Sequence, residues 1–325
     1  MKTNASKHKA MSYDRMSETE KRLEEEVNKL LEEAARVDAE EDARYGKGQR
    51  GDELPAELAR RESRLRKIRE AKAALEAEAR AEAEAKAADV RARLEERARR
   101  ESETGQKTGG RPPKAPAPEE AQPDPKAQRN FTDPESRIMP DGANKGSFVQ
   151  GYNAQIAVDG AAQIIVAAAV IQATNDKREL VPMAERIVEN CGRLADTTTA
   201  DSGYFSGAAV TDPRFQHTNL LVPPDRQKHG TSSTATTTPP DSEHNAASDM
   251  RRKLATPTGR DGYRMRKAIV EPVFGQIKEA RGFRRFLLRG LVAVGHEFNL
   301  IAMTHNLLKL FRSGGVRTTM ESAAV

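Results

Sequence analysis

The stretch that decides the fold is residues 151–191, GYNAQIAVDGAAQIIVAAAVIQATNDKRELVPMAERIVENC. Together with the preceding SFVQ, its first ten residues predict one strand, and AAQIIVAAAVIQ predicts a second. A polar break at 173–176 then precedes KRELVPMAERIVENC, which has the periodicity of a helix. Two strands followed by a helix favour an α/β fold.

The sequence downstream continues this pattern. TTTADSGYFSG, from residue 197, predicts a short strand that runs into a turn, and NLLVPP, from residue 219, predicts another buried strand. Residues 226–248 are rich in Ser, Thr, Pro and Asp and predict a loop, whereas 250–312 has helical periodicity in two pieces. Residues 130–312 are therefore predicted to form an α/β domain.

The N-terminal part of the chain has a different composition. Residues 17–102 are dominated by Glu, Ala, Arg and Lys, with opposite charges three and four residues apart. We predict two long helices, Ser17–Tyr45 and Leu54–Ser102, that form an antiparallel hairpin; a single solvated helix is the alternative. Residues 103–129 combine Gly, Pro and charge and predict a flexible linker, and 313–325 predict a disordered tail.

The overall composition limits the class of protein. The chain of 325 residues has 32% charged residues and a formal net charge of +5, which permits a nucleic-acid partner without establishing one. Its single cysteine excludes a disulfide framework and a multi-cysteine zinc site, and it fits a reducing cytoplasm. The N-terminus lacks the apolar run of a signal peptide, and charges interrupt the richest apolar stretch, 286–311.

Two carboxylates stand out by their context. Asp201 follows the short strand and precedes a glycine turn, a position from which a side chain can project into a cleft. Glu271 lies in a predicted helix, where Lys267 and Lys278 share nearly its face at about 100° per residue. If Pro272 begins a new helix, the alignment with Lys278 survives and that with Lys267 weakens. Carboxylates from separate elements beside basic residues suit Mg²⁺-dependent phosphoryl transfer on nucleic acid. Each acid taken alone is more typical of a turn or a surface ion pair.

The segment EARGFRRFLLRG, from residue 279, is densely basic. Its arginines interleave with Phe283 and Phe286, which offers phosphate contacts on one side and packing on the other. The four arginines are Arg281, Arg284, Arg285 and Arg289. The alternative interpretation is a basic helix end without a partner.

Several of these motifs occur together and in order, and the combination resembles a known family. The chain looks like the insertion-sequence DDE transposases, in the IS-four-like superfamily and particularly its IS-eleven-eighty-two-type branch. The segments that carry the resemblance are GYNAQIAVDG, QIIVAAAVIQATNDKREL, ADSGYFSG, RKAIVEPVFGQIKEARGFRRFLLRGL and HNLLKL. The resemblance covers about Asn130 to Phe311 and the opening residues. It implies an RNase H-like mixed sheet with flanking helices, into which the charged helical hairpin is inserted near the N-terminus.

The resemblance also implies a chemistry. In this family three carboxylates hold two Mg²⁺ ions and catalyse cleavage and strand transfer of DNA at the ends of a transposable element. The second acid matches Asp201 and the third matches Glu271, so both are implied to be catalytic and metal-binding. Lys267 stands where the family has an arginine, unless Arg266 takes that role. The residues expected to contact DNA are Tyr263, Arg266, Lys267, Lys278, Arg281, Arg284 and Arg285.

The first acid of the family has no counterpart in this sequence. The family places it in an Asp-Gly-Thr motif on a central strand, just before a stretch similar to KTNASKHKAMSYDRM, which here comes directly after Met1. We therefore expect residues 1–16 to be the remnant after a missing first strand, and a chain with two of the three acids to be inactive. Asp159 is not expected to replace the first acid, because it ends the second strand of the pattern.

The expected partners are transposon-end and target DNA and further copies of the chain, in the bacterial cytoplasm. No membrane and no small-molecule substrate are expected. A second hypothesis is a DNA-binding remnant without enzymatic activity that competes with intact transposase. A coiled-coil interaction protein would explain only residues 17–102.

Overall fold

The computed structural model of the chain describes residues 1–45, 56–106, 109–141, 144, 146–225 and 245–313. Most of the predicted loop at 226–248, and all but the first residue of the predicted tail at 313–325, lie outside the described residues.

The described chain mixes helices and short strands, which is consistent with the predicted α/β class. It divides into two compact units, Ser6–Pro134 and a unit of Met1–Ala5 with the chain from Glu135 onward. None of the described helices is long and apolar enough to cross a bilayer.

The unit Ser6–Pro134 is built on two long helices. Its elements are β1 Ala10–Ser12, α1 Tyr13–Tyr45, α2 Ala56–Thr104 and β2 Gln128–Asn130. The helices are antiparallel, because the Tyr13 hydroxyl donates to Glu76 over 2.8 Å while Arg61 near the start of α2 pairs with Glu26 over 3.0 Å. Helix α1 begins before the predicted Ser17, directly after a strand that the sequence pattern does not reveal.

The core of this unit is a narrow apolar seam between the helices. Its buried members are Met16, Leu23, Leu65, Ile68, Ala71 and Leu75. The segment predicted as a linker at 103–129 contributes to it through Ala127, and its last residues form β2, which pairs antiparallel with β1. Asn130, fully buried, holds this end of the unit together because its side chain donates to Ser6 O and accepts from Thr132 N.

The second unit contains the α/β pattern. Its strands are β3 Arg137–Pro140, β4 Phe148–Gly151, β5 Asn153–Val158, β6 Ile165–Ile171, β7 Thr197–Thr199 and β8 Asn219–Leu221. Its helices are α3 Leu180–Cys191, α4 Gly207–Val210, α5 Ala246–Ala255, α6 Pro257–Gly275 and α7 Leu291–Arg312. A π-helical turn, Gln276–Ala280, follows α6.

The strands of this unit do not form the continuous mixed sheet that the resemblance implies. In the described residues β3 pairs with β4 and β5 with β6, both antiparallel, while β7 pairs with β8 in parallel. The stretch predicted as one strand at 147–160 is divided at the buried Tyr152, because its backbone N–H donates to Met1 O and its carbonyl accepts from the Met1 ammonium. These bonds end the β3–β4 ladder before β5 begins.

The C-terminal helix α7 packs against β6 and contributes Val294, Phe298, Ile301 and Ala302 to the core. Asn306 fixes the register, since its amide both donates to Ile165 O and accepts from Ile165 N over 2.8 Å. Phe286 lies edge-on between Tyr152 and Phe298, with ring centroids 6.3 and 6.1 Å away, and all three rings are fully buried. This aromatic cluster holds the segment that follows the π-helical turn against the β5–β6 pair.

Candidate functional site

Asp201 begins a turn at the end of β7. It caps the short 3₁₀ helix Ser202–Tyr204, and its Oδ1 accepts the Gly203 N–H over 2.9 Å. Its side chain is nevertheless 46% exposed, so the carboxylate remains partly accessible. Asp201 therefore acts as a turn residue and also presents a carboxylate at the carboxyl end of a strand.

Helix α6 approaches this strand end because of a glycine. A Cβ on Gly262 would lie only 3.1 Å from Leu221 Cδ1 of β8 and 3.9 Å from Thr197 Cγ2 of β7. The absence of a side chain lets the helix lie directly on the β7–β8 pair. The residues that follow Gly262 in α6 are thereby brought towards Asp201.

A cavity of about 1000 Å³ lies among β5, β7, α3 and α6. Both sequence-predicted acids, Asp201 and Glu271, line it. Two of the predicted basic residues, Arg266 and Lys278, line it as well. The structure therefore brings together, around one open space, four residues that are up to 77 positions apart in the sequence.

Arg266 is the basic residue beside Asp201. Its Nη1 lies 4.0 Å from Asp201 Oδ2, its side chain is only 17% exposed, and its guanidinium lies over the Tyr263 ring at 5.6 Å. Burial raises the pKa of the Tyr263 hydroxyl, although the nearby Arg266 cation opposes the shift. Lys267, in contrast, is exposed and does not line the cavity. Of the two residues that the sequence leaves open, the structure places Arg266 at the site.

Glu271 lies on an exposed turn of α6, directly before Pro272. The helix continues through this proline, which has no N–H to offer Ala268 O. The Gln163 side chain, from the β5–β6 turn, replaces the missing donor: its Nε2 lies 3.1 Å from Ala268 O. Gln163 itself has a φ of 56°, the only positive φ of a residue other than glycine in the described chain.

Lys278 follows in the π-helical turn, where the extra residue changes the helical phase after α6. Its ammonium lies 4.9 Å from the centre of the Phe274 ring. Lys278, seven residues beyond Glu271 and at the same cavity, adds a second positive charge to the site.

The sequence analysis missed a polar network beside Asp201. Asp176 Oδ1 accepts from Asn153 Nδ2 over 2.6 Å and from Gln155 Nε2 over 2.7 Å, and the Tyr204 hydroxyl donates to Gln155 Oε1. Asp176 also lines the cavity. It belongs to the polar break after β6, which the sequence presents as a connection, and the Asn-Gln alternation on β5 is the signal that marks a polar strand face.

The predicted DNA-binding arginines have different environments. Arg281 is turned into the protein, where it donates to Ile301 O over 3.1 Å and to the Thr304 hydroxyl. Arg284 forms an ion pair with Glu279, and Arg289 donates to Asn4 O over 2.9 Å. Arg285 is exposed. The cluster therefore combines structural arginines with surface charge.

Asp159, the acid considered as a substitute for the first carboxylate, also lines the cavity. Its Oδ2 accepts from Ala161 N over 3.1 Å and from Ala162 N over 2.7 Å. These bonds make it the capping acid of the β5–β6 turn.

The acidic residues of the cavity supply carboxylate oxygens, which are suitable ligands for a hard divalent cation. Its basic residues, Arg266 and Lys278, can contact phosphate. In the part of the chain that the structure describes, no group of three His, Cys, Asp or Glu residues is close enough to hold a metal. The fit is thus one of ligand type, with Asp201 and Glu271 as the residues that would contribute.

Comparison with known proteins gives one match. No curated protein and no solved structure matches the chain. Residues 225–311 match the protein-family model described as a transposase DDE domain, a region that begins after Asp201 and includes Tyr263, Arg266, Glu271 and Lys278. This match supports a DDE transposase, a class whose substrate is DNA and which uses divalent metal ions.

Proposed function

We propose that the chain carries the catalytic region of an RNase H-like DDE transposase of the IS-four-like superfamily, which cleaves and joins DNA at transposon ends in the bacterial cytoplasm. The observation that carries the proposal is the common cavity of Asp201, Glu271, Arg266 and Lys278. Two acids, one from a strand end and one from a helix, line this cavity together with two cations. This arrangement is more typical of a site for a phosphodiester and its metal ions than of a surface ion pair.

In this proposal Asp201 and Glu271 hold Mg²⁺. When bound, a pair of such ions activates the attacking oxygen and stabilises the leaving oxygen of a phosphodiester. Arg266 balances the charge of Asp201 at 4.0 Å and is positioned to contact a phosphate oxygen. Lys278 provides a compact second cation for the DNA backbone, and Arg285 extends the positive surface.

The third carboxylate is proposed to come from an extended segment between β5 and β7. In the described chain, β5 pairs only with β6 and β7 only with β8, and residues of both strands line the cavity. A strand placed there would satisfy two exposed edges and deliver an acid next to Asp201. Without it, two acids are expected to bind metal weakly and to leave the protein inactive in cleavage.

The test is cleavage of a labelled duplex that carries the transposon end, in Mg²⁺, by the chain and by a version extended upstream with a strand containing Asp-Gly-Thr. The extended protein is expected to cut, and Asp201→Asn or Glu271→Gln is expected to reduce cutting by at least about 1000-fold. Asp196→Asn is the matched control, because this exposed carboxylate pairs only with Arg193 among the described contacts. Cutting that survives both acid substitutions would refute the assignment of the site.

A second candidate is a DNA-binding remnant that competes with intact transposase for transposon ends. It is favoured by the lack of three clustered ligands among the described residues. In this case the chain without an upstream extension retards transposon-end DNA in a gel with a strong salt dependence, and neither version cuts.

The transposase is also proposed to act as a homo-oligomer. Helix α7 supports this, since it exposes an apolar row that includes Val292, Leu300 and Leu307. Light scattering of the chain at several concentrations tests it, and a monomer mass throughout would exclude it.

A further inference from the structure

The orientation of the Gln155 amide is determined by its neighbours. Gln155 is 3% exposed, and its Nε2 donates to Asp176 Oδ1 over 2.7 Å and to Asn153 Oδ1 over 2.9 Å. An ionised carboxylate can only accept hydrogen bonds, so the NH₂ group of Gln155 must face Asp176. Its carbonyl oxygen Oε1 then faces the other way, where it accepts from the Tyr204 hydroxyl.

Tyr204 belongs to the same turn as Asp201. The Tyr204 backbone N–H donates to Asp201 O over 3.2 Å, and the preceding Gly203 N–H donates to Asp201 Oδ1 over 2.9 Å. Anchoring the Tyr204 ring through its hydroxyl therefore restrains both the carbonyl and the carboxylate of Asp201. The chain of contacts runs from Asp176 on the β6–α3 connection to Gln155 on β5, and then to the turn that follows β7.

Gly203 allows the two carboxylates to approach the same point. A Cβ at this position would lie 2.9 Å from Asp201 Oδ1 and 3.3 Å from Asp176 Oδ2. Both acids therefore border one glycine from different elements.

We propose that Asp176 is a positioning residue for Asp201: it orients Gln155, Gln155 orients the Tyr204 hydroxyl, and the anchored turn presents the Asp201 carboxylate to the cavity. The role of Asp176 is to reduce the number of orientations that Asp201 samples before a cation arrives. Its consequence for metal binding rests on the proposed function, whereas its effect on the turn does not.

The experiment is a double-mutant cycle on the full chain with Asp176→Asn, Tyr204→Phe and both together. Free Mn²⁺ is measured by electron paramagnetic resonance, amide exchange of Gly203 and Tyr204 by NMR, and Tm by circular dichroism. Each single substitution is expected to weaken Mn²⁺ binding about 10-fold, as outer-sphere changes do at metal sites, with little change in Tm. The double variant is expected to bind no more weakly than the weaker single variant, because both act through one path.

Two controls separate the proposals. Asp196→Asn is expected to bind Mn²⁺ like the unmodified chain, since Asp196 is 91% exposed. Asp201→Asn is expected to weaken binding more than either network substitution. The positioning role is wrong, while the metal site stands, if Asp176→Asn binds Mn²⁺ as tightly as Asp196→Asn does. The same conclusion follows if the losses of Mn²⁺ affinity in the two single variants multiply in the double variant.

If Asp201→Asn leaves Mn²⁺ binding unchanged, the proposed metal site is wrong. The exchange rates then decide the positioning role by themselves. The exchange rates of the Gly203 and Tyr204 amides must rise about tenfold in Asp176→Asn. They must rise no more than this in the double variant, as expected when one local opening limits exchange. Unchanged exchange in Asp176→Asn overturns the proposal.

Discussion

The two units of the protein are stabilised in different ways. In Ser6–Pro134, long helices carry dense opposite charges and share a narrow apolar seam, with ion pairs such as Lys72 to Glu20 at 3.0 Å alongside it. In the unit with the cavity, short strands and helices depend on a buried aromatic cluster and on side chains that satisfy backbone groups far away in the sequence. Helical periodicity and charge spacing therefore predict the long helices of the first unit, whereas its β1–β2 pair and the core of the second unit depend on contacts between segments far apart in the sequence.

The largest expected effect is loss of the aromatic cluster. Phe286→Ala should destabilise the cavity unit by about 3–5 kcal/mol, because a fully buried ring between Tyr152 and Phe298 leaves a void. Urea unfolding followed by the near-ultraviolet signal of tyrosine measures it. The neighbouring Leu287→Ala is the control, since Leu287 is 67% exposed and should change stability by less than about 0.5 kcal/mol. Equal effects of the two substitutions would contradict the assigned core.

A smaller effect is expected at Gln163, which compensates for Pro272. Gln163→Ala should cost about 1–2 kcal/mol, because it removes the donor to Ala268 O and the acceptor of Lys309 Nζ at 2.8 Å. Gln163→Gly loses the same bonds but tolerates the φ of 56°, and should therefore be less destabilising than alanine. Thermal unfolding of both variants tests this order. An alanine variant as stable as the unmodified chain would mean that the side-chain bonds contribute nothing.

The smallest effect is expected in the helical hairpin. Burial alone would raise the pKa of Glu20, but hydrogen bonds from Lys72 and Arg69 outweigh it and the pKa is lowered. An acid with a lowered folded-state pKa stabilises the protein above its unfolded pKa, and this contribution is lost as the pH falls through the folded value. Glu20→Gln should therefore cost about 0.5–1 kcal/mol at neutral pH.

The measurement for Glu20 is urea unfolding followed by helical circular dichroism, at neutral pH and below pH 4. The difference between the unmodified chain and Glu20→Gln should shrink in acid and in 1 M salt. The exposed pair Glu82–Lys86 provides a matched control, for which Glu82→Gln should have no more effect than a surface substitution. A difference that persists in acid would show that packing, not charge, accounts for it.

Sequence patterns best predict the elements whose own residues carry a helical periodicity or an apolar run. Helix α3 occupies Leu180–Cys191 inside the predicted segment, and β8 occupies Asn219–Leu221 where NLLVPP predicts a strand. The short strands β1, β2 and β3 have no periodicity that distinguishes them from loops, because each is defined by a partner elsewhere in the chain. The break at Tyr152 is equally invisible, since it arises from a bond to Met1.

The candidate site was partly predictable for a similar reason. Asp201 and Glu271 stand out because one ends a strand and the other lies between lysines, and both line the cavity. The choice between Arg266 and Lys267 depends on the rotation of α6 on the β7–β8 pair, which one-residue spacing cannot resolve. Asp176 lies in a stretch that looks like a connection, so only its bonds to Asn153 and Gln155 reveal it.

The sequence alone predicts charged helices at 17–102, the α/β class, and two acids with a basic segment that resemble a transposase. It leaves a helical hairpin and a single solvated helix both open. These features follow from periodicity, charge spacing and local motifs, which act within a few residues. The folded structure is needed to show that Arg266 lies beside Asp201, that Gln163 supports the helix at Pro272, and that Asp176 reaches the turn of Asp201 through Gln155. Such relations depend on the close approach of separate elements, which packing and buried hydrogen bonds determine.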